Sequence, residues 1–209
     1  MIPELQTLAL ASLLAWASGI RLYLVIFAVG LAGYLGYIDV PPALKVLQHP
    51  WVIGAAGLML AVEFLVDKVP GMDSVWDAVH TVIRIPAGAL LAAGATGDTF
   101  SALTVAAGLL GGTITAGTHF TKAGGRALIN ASPEPFTNWG ASFTEDAAVI
   151  GGIWLAFHFP FVFLALLAVF VALVIWLLPR LWRGIAGMWR PLRTRSMIGR
   201  GTRREEQRP

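Results

Sequence analysis

Four ionisable residues recur at helical spacing in the middle of the chain. The row is spaced i, i+4, i+7 and i+11 and consists of Asp73, Asp77, His80 and Arg84. On a helix these positions fall within an arc of roughly 60°. The opposite face is apolar and carries Val75, Trp76, Val79, Val82 and Ile83. Such a row suits a solvated face, a path for ions, or a metal site, because carboxylates and imidazole bind Mn, Fe, Zn or Mg ions.

Other polar residues extend this candidate site. Glu63 and Asp67 are four residues apart, so they share a helix face. A second polar segment, over 118–146, adds His119, Lys122, Arg126, Asn138, Glu145 and Asp146. Arg21 interrupts the first apolar run of the chain. Together with the row on 73–84, these residues form the candidate substrate or ion site. If they form a single site, Glu63 or Asp67 should lie near Arg126 or the Glu145-Asp146 pair, because uncompensated charge inside a membrane is unfavourable.

The composition is that of a membrane protein. Of the 209 residues, 56% are hydrophobic and 13% are charged, whereas a soluble domain averages about 25% charged residues. The chain has no cysteine, which excludes disulfides, thiol nucleophiles and cysteine-bound zinc or iron–sulfur centres. The sequence identifies neither a cofactor nor a particular metal. We therefore predict an all-α, multi-pass membrane helix bundle.

The apolar runs predict about six spans within an integral membrane domain over 1–179. They lie near 5–37, 50–69, 77–97, 101–118, 142–158 and 160–179. Small residues at 17–19, Pro70-Gly71 and Pro86 predict breaks in the helices. The polar segments 70–86 and 119–141 are predicted to be re-entrant or interfacial. The sequence leaves open which of the two applies.

The C-terminal segment 180–209 is strongly basic. It contains nine Arg and two Glu, so the basic balance of the chain belongs to this tail and does not indicate a nucleic-acid partner. We predict that the tail is cytoplasmic, interfacial in its first part and then disordered. An even number of spans would place both termini in the cytoplasm, with the protein in the inner (plasma) membrane of a bacterium.

Two parts of the chain show a weak similarity to each other. His49-Pro50 opens a span that ends at Pro70, and His158-Phe159-Pro160 opens one that ends at Pro179. The offset of about 110 residues suggests halves 1–98 and 99–179, and inverted repeats with broken helices are typical of transporters. Chance similarity among segments rich in Ala, Gly and Leu explains the pattern equally well.

Several motifs together resemble one known family. They are GIRLYL at 19–24, WDAVHTVIR at 76–84, the acidic pattern from Glu63 to Asp73, TKAGGRALINASPEP at 121–135, and N-x3-S-x2-ED at 138–146. With these motifs the chain resembles a bacterial membrane family known as domain of unknown function 4126. The resemblance implies an integral membrane protein and assigns no catalytic residue.

The candidate site leaves three functional classes open. A charge in mid-membrane costs several kcal/mol unless it is paired or hydrated. The preferred interpretation is a small transporter or channel whose acidic and histidine residues bind a cation or protons. The alternatives are a metal-dependent enzyme acting on lipid or phosphate, and a scaffold in which acids pair with Arg21, Arg84 or Arg126. Expected partners are the bilayer and a small ion or solute; a homo-oligomer stays open.

Overall fold

The computed structural model describes residues 3–97, 101–131, 135–180 and Arg183. Every regular element within these ranges is a helix, which confirms the all-α prediction. The α-helices are α1 (Pro3–Tyr34), α2 (Pro50–Val66), α3 (Met72–Ala95), α4 (Ala102–Ile129), α5 (Pro135–His158) and α6 (Pro160–Arg180). A 3-10 helix over Pro42–Gln48 joins α1 to α2.

The first helix folds back on itself at Arg21. This residue has non-helical backbone angles (φ −141°, ψ 73°) inside α1. A straight helix of this length would hold its ends about 48 Å apart. Instead, Gln6 near its start and Tyr37 just after its end line the same cavity of about 380 Å³. The helix therefore consists of two arms, 3–20 and 22–34, with Arg21 at the apex.

The next elements run alternately towards and away from this apex. Gly57 of α2 packs against the Phe27 ring of the second arm, and Asp67, directly after α2, pairs with Arg21. The turn to α3 uses Gly71 at φ +86°, a conformation that favours glycine. α3 then returns to the open end of the hairpin, where Gly94 packs against Leu44 of the 3-10 helix.

The last three helices continue this alternation. Asn130, at the end of α4, contacts Ser74 at the start of α3, so the two helices are antiparallel. Ser142 of α5 contacts Arg21, while Phe157 reaches the cavity at the open end. α6 returns along the bundle, because Phe163 packs on Trp16. Within the described ranges, seven segments thus run along the bundle axis.

This arrangement changes the number of segments from which the positions of the two termini were predicted. The first apolar run supplies two segments, so the start of α1 and the end of α6 lie at opposite ends of the bundle. The prediction of two cytoplasmic termini assumed an even number of spans. By length and apolarity alone, three described helices could cross a membrane: α1, α3 and α6. The 3-10 helix and α2, bent by 66°, form a fourth candidate as one broken span.

The expected breaks are partly wrong. Pro86 lies inside α3, which continues without interruption to Ala95. The break expected at 17–19 falls at Arg21. The described parts of 70–86 and 119–141 belong mainly to the long helices α3, α4 and α5. Whether these segments are re-entrant or interfacial stays a prediction. Apart from Arg180 and Arg183, the basic tail lies outside the described residues, and the division into halves stays a prediction.

The half of the bundle nearer the open end of the α1 hairpin has an apolar core. Ala9 of the first arm and Val149 of α5 are fully buried, and Val29 of the second arm is almost fully buried. Leu91 of α3 belongs to the same core. At the other end, near the apex, ionisable side chains are buried beside apolar ones such as Leu22 and Val25.

Candidate functional site

Ionisable side chains from five helical elements meet around the apex of α1. We call this set the polar cluster. It consists of six carboxyl groups (Glu63, Asp67, Asp73, Asp77, Glu145, Asp146) and four bases (Arg21, Arg84, Lys122, Arg126). The side chains of Glu145 and Asp146 are 16% and 19% exposed, and those of the other members are almost fully buried.

Arg21 joins the apex of α1 to α2 and α5. Its guanidinium is hydrogen-bonded to Asp67 and lies 2.8 Å from Asp146 Oδ1 and 3.4 Å from Glu145 Oε2. It also donates to the Ser142 hydroxyl at 2.8 Å and to the Ser142 carbonyl at 3.1 Å. The turn in α1 is therefore held by charged contacts from distant parts of the chain.

Arg84 joins α3, on which it lies, to α2 by contacting carboxyl groups of both helices. It is hydrogen-bonded to Glu63 and donates to Asp77 Oδ1 at 2.9 Å. His119 of α4 lies 3.3 Å from Arg84 Nη1 and 2.8 Å from the Thr81 hydroxyl. The acids on α2 and α3 thus share one base, with a histidine beside it.

His80 occupies the edge of this arrangement. Its ring stacks on Trp76 at 3.9 Å between centroids, and its Nδ1 lies 2.8 Å from the Trp76 carbonyl oxygen. The ring meets Tyr23 edge to face. The four residues of the α3 row are all buried, which confirms that this face points into the protein.

Lys122 lies at the centre of the polar cluster. Its Nζ is 3.3 Å from both Asp67 Oδ2 and Glu145 Oε2, 3.6 Å from Asp77 Oδ1 and 3.8 Å from Glu63 Oε1. The Ile20 carbonyl oxygen, directly before the apex, is 3.1 Å away. Five oxygen atoms therefore surround one ammonium group.

Arg126 connects the second polar segment to the first. Its Nε donates to Glu145 Oε1 at 3.1 Å, and its Nη2 lies 3.7 Å from Asp67 Oδ2. Its Nη1 donates to the carbonyl of Asn138 at 3.1 Å and lies 3.7 Å from Asp73 Oδ2. The prediction that Asp67 lies near Arg126 is therefore confirmed, and the two polar segments meet.

The charges of the polar cluster do not balance. Six carboxyl groups face four bases, so two negative charges are in excess when all groups are ionised. Among the described residues, the buried oxygens Glu63 Oε2, Asp67 Oδ1 and Asp77 Oδ2 have no hydrogen-bond partner. No group of three or more acidic or histidine side chains in the described ranges is arranged to hold a metal ion.

Apolar side chains cover the outside of the bundle at the level of the polar cluster. Val75, Val79 and Val82 are exposed on the outer face of α3, opposite its ionisable row. Leu65 of α2 and Phe143 of α5 are exposed as well. This surface suits lipid, so the polar cluster lies behind a hydrocarbon-compatible exterior.

Three polar residues that hydrogen-bond to this site were not among the predicted residues. Asn130 donates to Asp73 at 2.7 Å, and Ser142 accepts from Arg21. Thr81 contacts His119. Each follows a candidate residue by four positions, the spacing that places two side chains on one helix face. That spacing could have identified all three.

Comparisons with known proteins identify a family. No curated protein and no solved structure matches the chain. Residues 8–180 match the family model described as Domain of unknown function (DUF4126). This match covers most of the chain, including all ten members of the polar cluster, and it agrees with the resemblance drawn from the motifs. The chain therefore belongs to the DUF4126 family and is a membrane protein of unassigned role.

Proposed function

We propose that the polar cluster binds protons or a cation and that the protein is a small transporter or channel of the bacterial inner membrane. The observation that carries this proposal is the excess of two carboxyl groups over bases in a buried cluster. An uncompensated charge at this depth costs several kcal/mol. Protons or a cation taken from solution would neutralise the excess.

A groove supports access to the polar cluster from outside. It measures about 220 Å³ and is lined by Lys122, Arg126 and Glu145, together with Ile20 of α1 and Phe170 of α6. Glu145 is also one of the two partly exposed carboxyl groups of the cluster. Because Lys122, Arg126 and Glu145 line the groove themselves, an ion entering here would meet charged side chains directly.

We propose an orientation in which the polar cluster lies towards the cytoplasm. The arginine-rich tail follows α6, whose end lies at the same end of the bundle as the polar cluster, and basic segments flanking a span favour the cytoplasmic side. Arg180 stacks on the exposed Trp176 ring at 3.7 Å, an arrangement typical of the membrane interface. The start of α1 would then face the periplasm.

The absence of cysteine in the chain allows a direct test of this orientation. We expect Tyr37→Cys, at the open end of the α1 hairpin, to react with a membrane-impermeant maleimide added to intact spheroplasts. Arg180→Cys should react only after lysis. Because the two positions lie at opposite ends of the bundle, labelling of both from outside would contradict the arrangement, and the reverse pattern would invert it.

Glu63→Gln tests the cation-binding function. The substitution removes one negative charge, and its amide oxygen can still accept from Arg84. In proteoliposomes carrying a pH or cation gradient, we expect the wild type to dissipate the gradient. Glu63→Gln should do so at least about tenfold more slowly, which corresponds to a loss of roughly 1.4 kcal/mol in the binding free energy of the proton or cation. Glu4→Gln, near the start of α1, is the matched control and should keep wild-type flux.

The same variant separates transport from scaffolding. Each of the four bases contacts at least two carboxylates, which also suits a purely structural network. If the role is only structural, Glu63→Gln should lower the yield and melting temperature of the folded protein. Wild-type flux and stability in Glu63→Gln, or a wild type without flux for any cation or proton, would refute the proposal.

A further inference from the structure

We infer that the Lys122 ammonium occupies a binding site for a monovalent ammonium-type cation, and that free ammonium or a primary alkylammonium can take its place. This inference rests on the proposed cation function and names its ligand class and its location. Four carboxylates and the Ile20 carbonyl form the site, which we call the Lys122 cage.

The ammonium in the Lys122 cage is surrounded as a free cation would be. A lysine ammonium has three N–H donors, whereas five oxygens lie within 3.8 Å of Nζ. Its two hydrogen bonds go to Asp67 Oδ2 and the Ile20 carbonyl. The remaining contacts are charge–charge contacts around a compact ion, which differ from the directed guanidinium contacts of Arg21.

The cage also has spare oxygen atoms. The second oxygens of Glu63, Asp67 and Asp77 are buried and have no hydrogen-bond partner among the described residues. Each belongs to a carboxylate that already lies within 4 Å of the ammonium. These oxygens could complete the coordination of a free ion, which unlike Lys122 brings no hydrocarbon stem into the site.

The break in α1 supplies the neutral ligand. The Ile20 carbonyl precedes Arg21, whose backbone is non-helical, and it points at Nζ from 3.1 Å. Carbonyls at unwound helix positions coordinate cations in several transporter folds. The turn at Arg21 thus brings a backbone oxygen to the four carboxylates.

Lys122 has a route out of the cage. Its side chain lines the groove of about 220 Å³, beside Thr121 and Gly125 of the same helix. The stem of lysine is flexible, so rotation towards the groove would remove the ammonium from the cage. The cage would then carry an excess of negative charge and would bind a cation from solution.

The experiment removes the tethered ammonium and supplies a free one. Lys122→Ala is purified in detergent, and its melting temperature is measured against increasing methylammonium, sodium and potassium at constant ionic strength, with choline as the balancing cation. At ten times the Kd of the bound cation, the melting temperature should rise by about 3–6 °C. The wild type, whose cage is filled, should shift much less.

Two controls isolate the cage. Lys68→Ala removes a lysine of the α2–α3 turn whose Nζ contacts the Phe64 carbonyl at 3.1 Å and the Phe64 ring, so it should gain no cation dependence. Tetramethylammonium, which has no N–H and is larger, should not replace methylammonium in Lys122→Ala. Lys122→Met keeps most of the stem volume, so it should respond to methylammonium less than Lys122→Ala does.

Every outcome decides the inference separately from the transport proposal. A melting temperature of Lys122→Ala that rises with methylammonium supports the cage even if wild-type liposomes show no flux. Equal shifts in the wild type, Lys68→Ala and Lys122→Ala would overturn it. So would a failure of both Lys122 variants to fold in every cation, because a filled cage should restore the folded protein.

Discussion

One face of α3 changes character halfway along the helix, and the two halves show how differently this bundle is held together. From Met72 to Ile85 the buried side chains are Asp73, Asp77, His80 and Arg84. Beyond Pro86 the same face buries Gly88, Leu91, Ala92 and Ala95. α4 mirrors this division, with Gly111 and Thr115 opposite the apolar half and Lys122 and Arg126 in the polar half.

In the apolar half, position is fixed by close contact. A Cβ at Gly88 would lie 2.1 Å from the Thr115 hydroxyl oxygen, and one at Gly111 would lie 2.4 Å from the Ala92 Cβ. The backbones of α3 and α4 therefore approach as closely as small residues allow. Such packing is the main source of helix association in membranes, where burial of apolar surface against lipid gains little.

In the polar half, position is fixed by charge. Arg21 contacts carboxyl groups from α2 and α5, and Arg84 contacts carboxyl groups from α2 and α3. These contacts join elements that are far apart in sequence. We therefore expect a substitution that creates a clash in the apolar half to act locally. A substitution that removes a charge from the polar half should affect several elements at once.

Removing the charge of Arg21 at the apex should lower the unfolding free energy more than the other proposed substitutions do. Arg21→Met retains much of the side-chain length but removes the base that Asp146 contacts. It also removes one of the three bases that Asp67 and Glu145 share, the other two being Lys122 and Arg126. Breaking a buried ion pair by removing one partner costs about 3–5 kcal/mol. We expect at least this loss of unfolding free energy in detergent, or no folded protein, together with exposure of the α1 turn to proteolysis.

Arg180→Met is the matched control for the apex. Arg180 is exposed at the end of α6, so its replacement should change the unfolding free energy by no more than about 0.5 kcal/mol. Equal effects of the two substitutions would contradict the view that charge fixes the polar half. A third variant, Arg21→Lys, keeps the charge but loses the guanidinium fork, so an intermediate stability is expected.

Much of the polar half could be predicted from local spacing. The positions 73, 77, 80 and 84 recur at the helical period, and the high cost of exposing four ionisable groups to lipid required that face to turn inwards. The same cost predicted that the acids after α2 would meet Arg126. The long apolar runs and the proline positions located most helix ends to within a few residues.

The fold-back of α1 could not be predicted in this way. The run from Leu5 to Tyr37 has the composition of a long span, and apart from small hydroxyl residues only Gln6 near its start and Arg21 at its centre depart from it. The turn depends on partners that come 42 and more residues later, Glu63 and Asp67 among them. The break predicted at Pro86 is wrong because neighbouring helices allow a proline to remain inside a membrane helix.

A substitution that creates a clash in the apolar half should lower the unfolding free energy less than loss of Arg21 does. Gly111→Ala would place its Cβ 2.4 Å from the Ala92 Cβ, a contact that neither short side chain can relieve by rotating. The helices must separate, at a cost of about 1–3 kcal/mol of unfolding free energy.

Gly108→Ala, one turn earlier on α4, is the control, because its Cβ would meet the Ala93 Cβ at 3.6 Å, an ordinary contact. Because alanine favours a helix over glycine by ~1 kcal/mol, this control should be neutral or stabilising in the same unfolding assay. If Gly111→Ala were as stable as Gly108→Ala while Glu63→Gln lost stability, the close approach of α3 and α4 would not hold the apolar half together, and the bundle would depend on its charges alone.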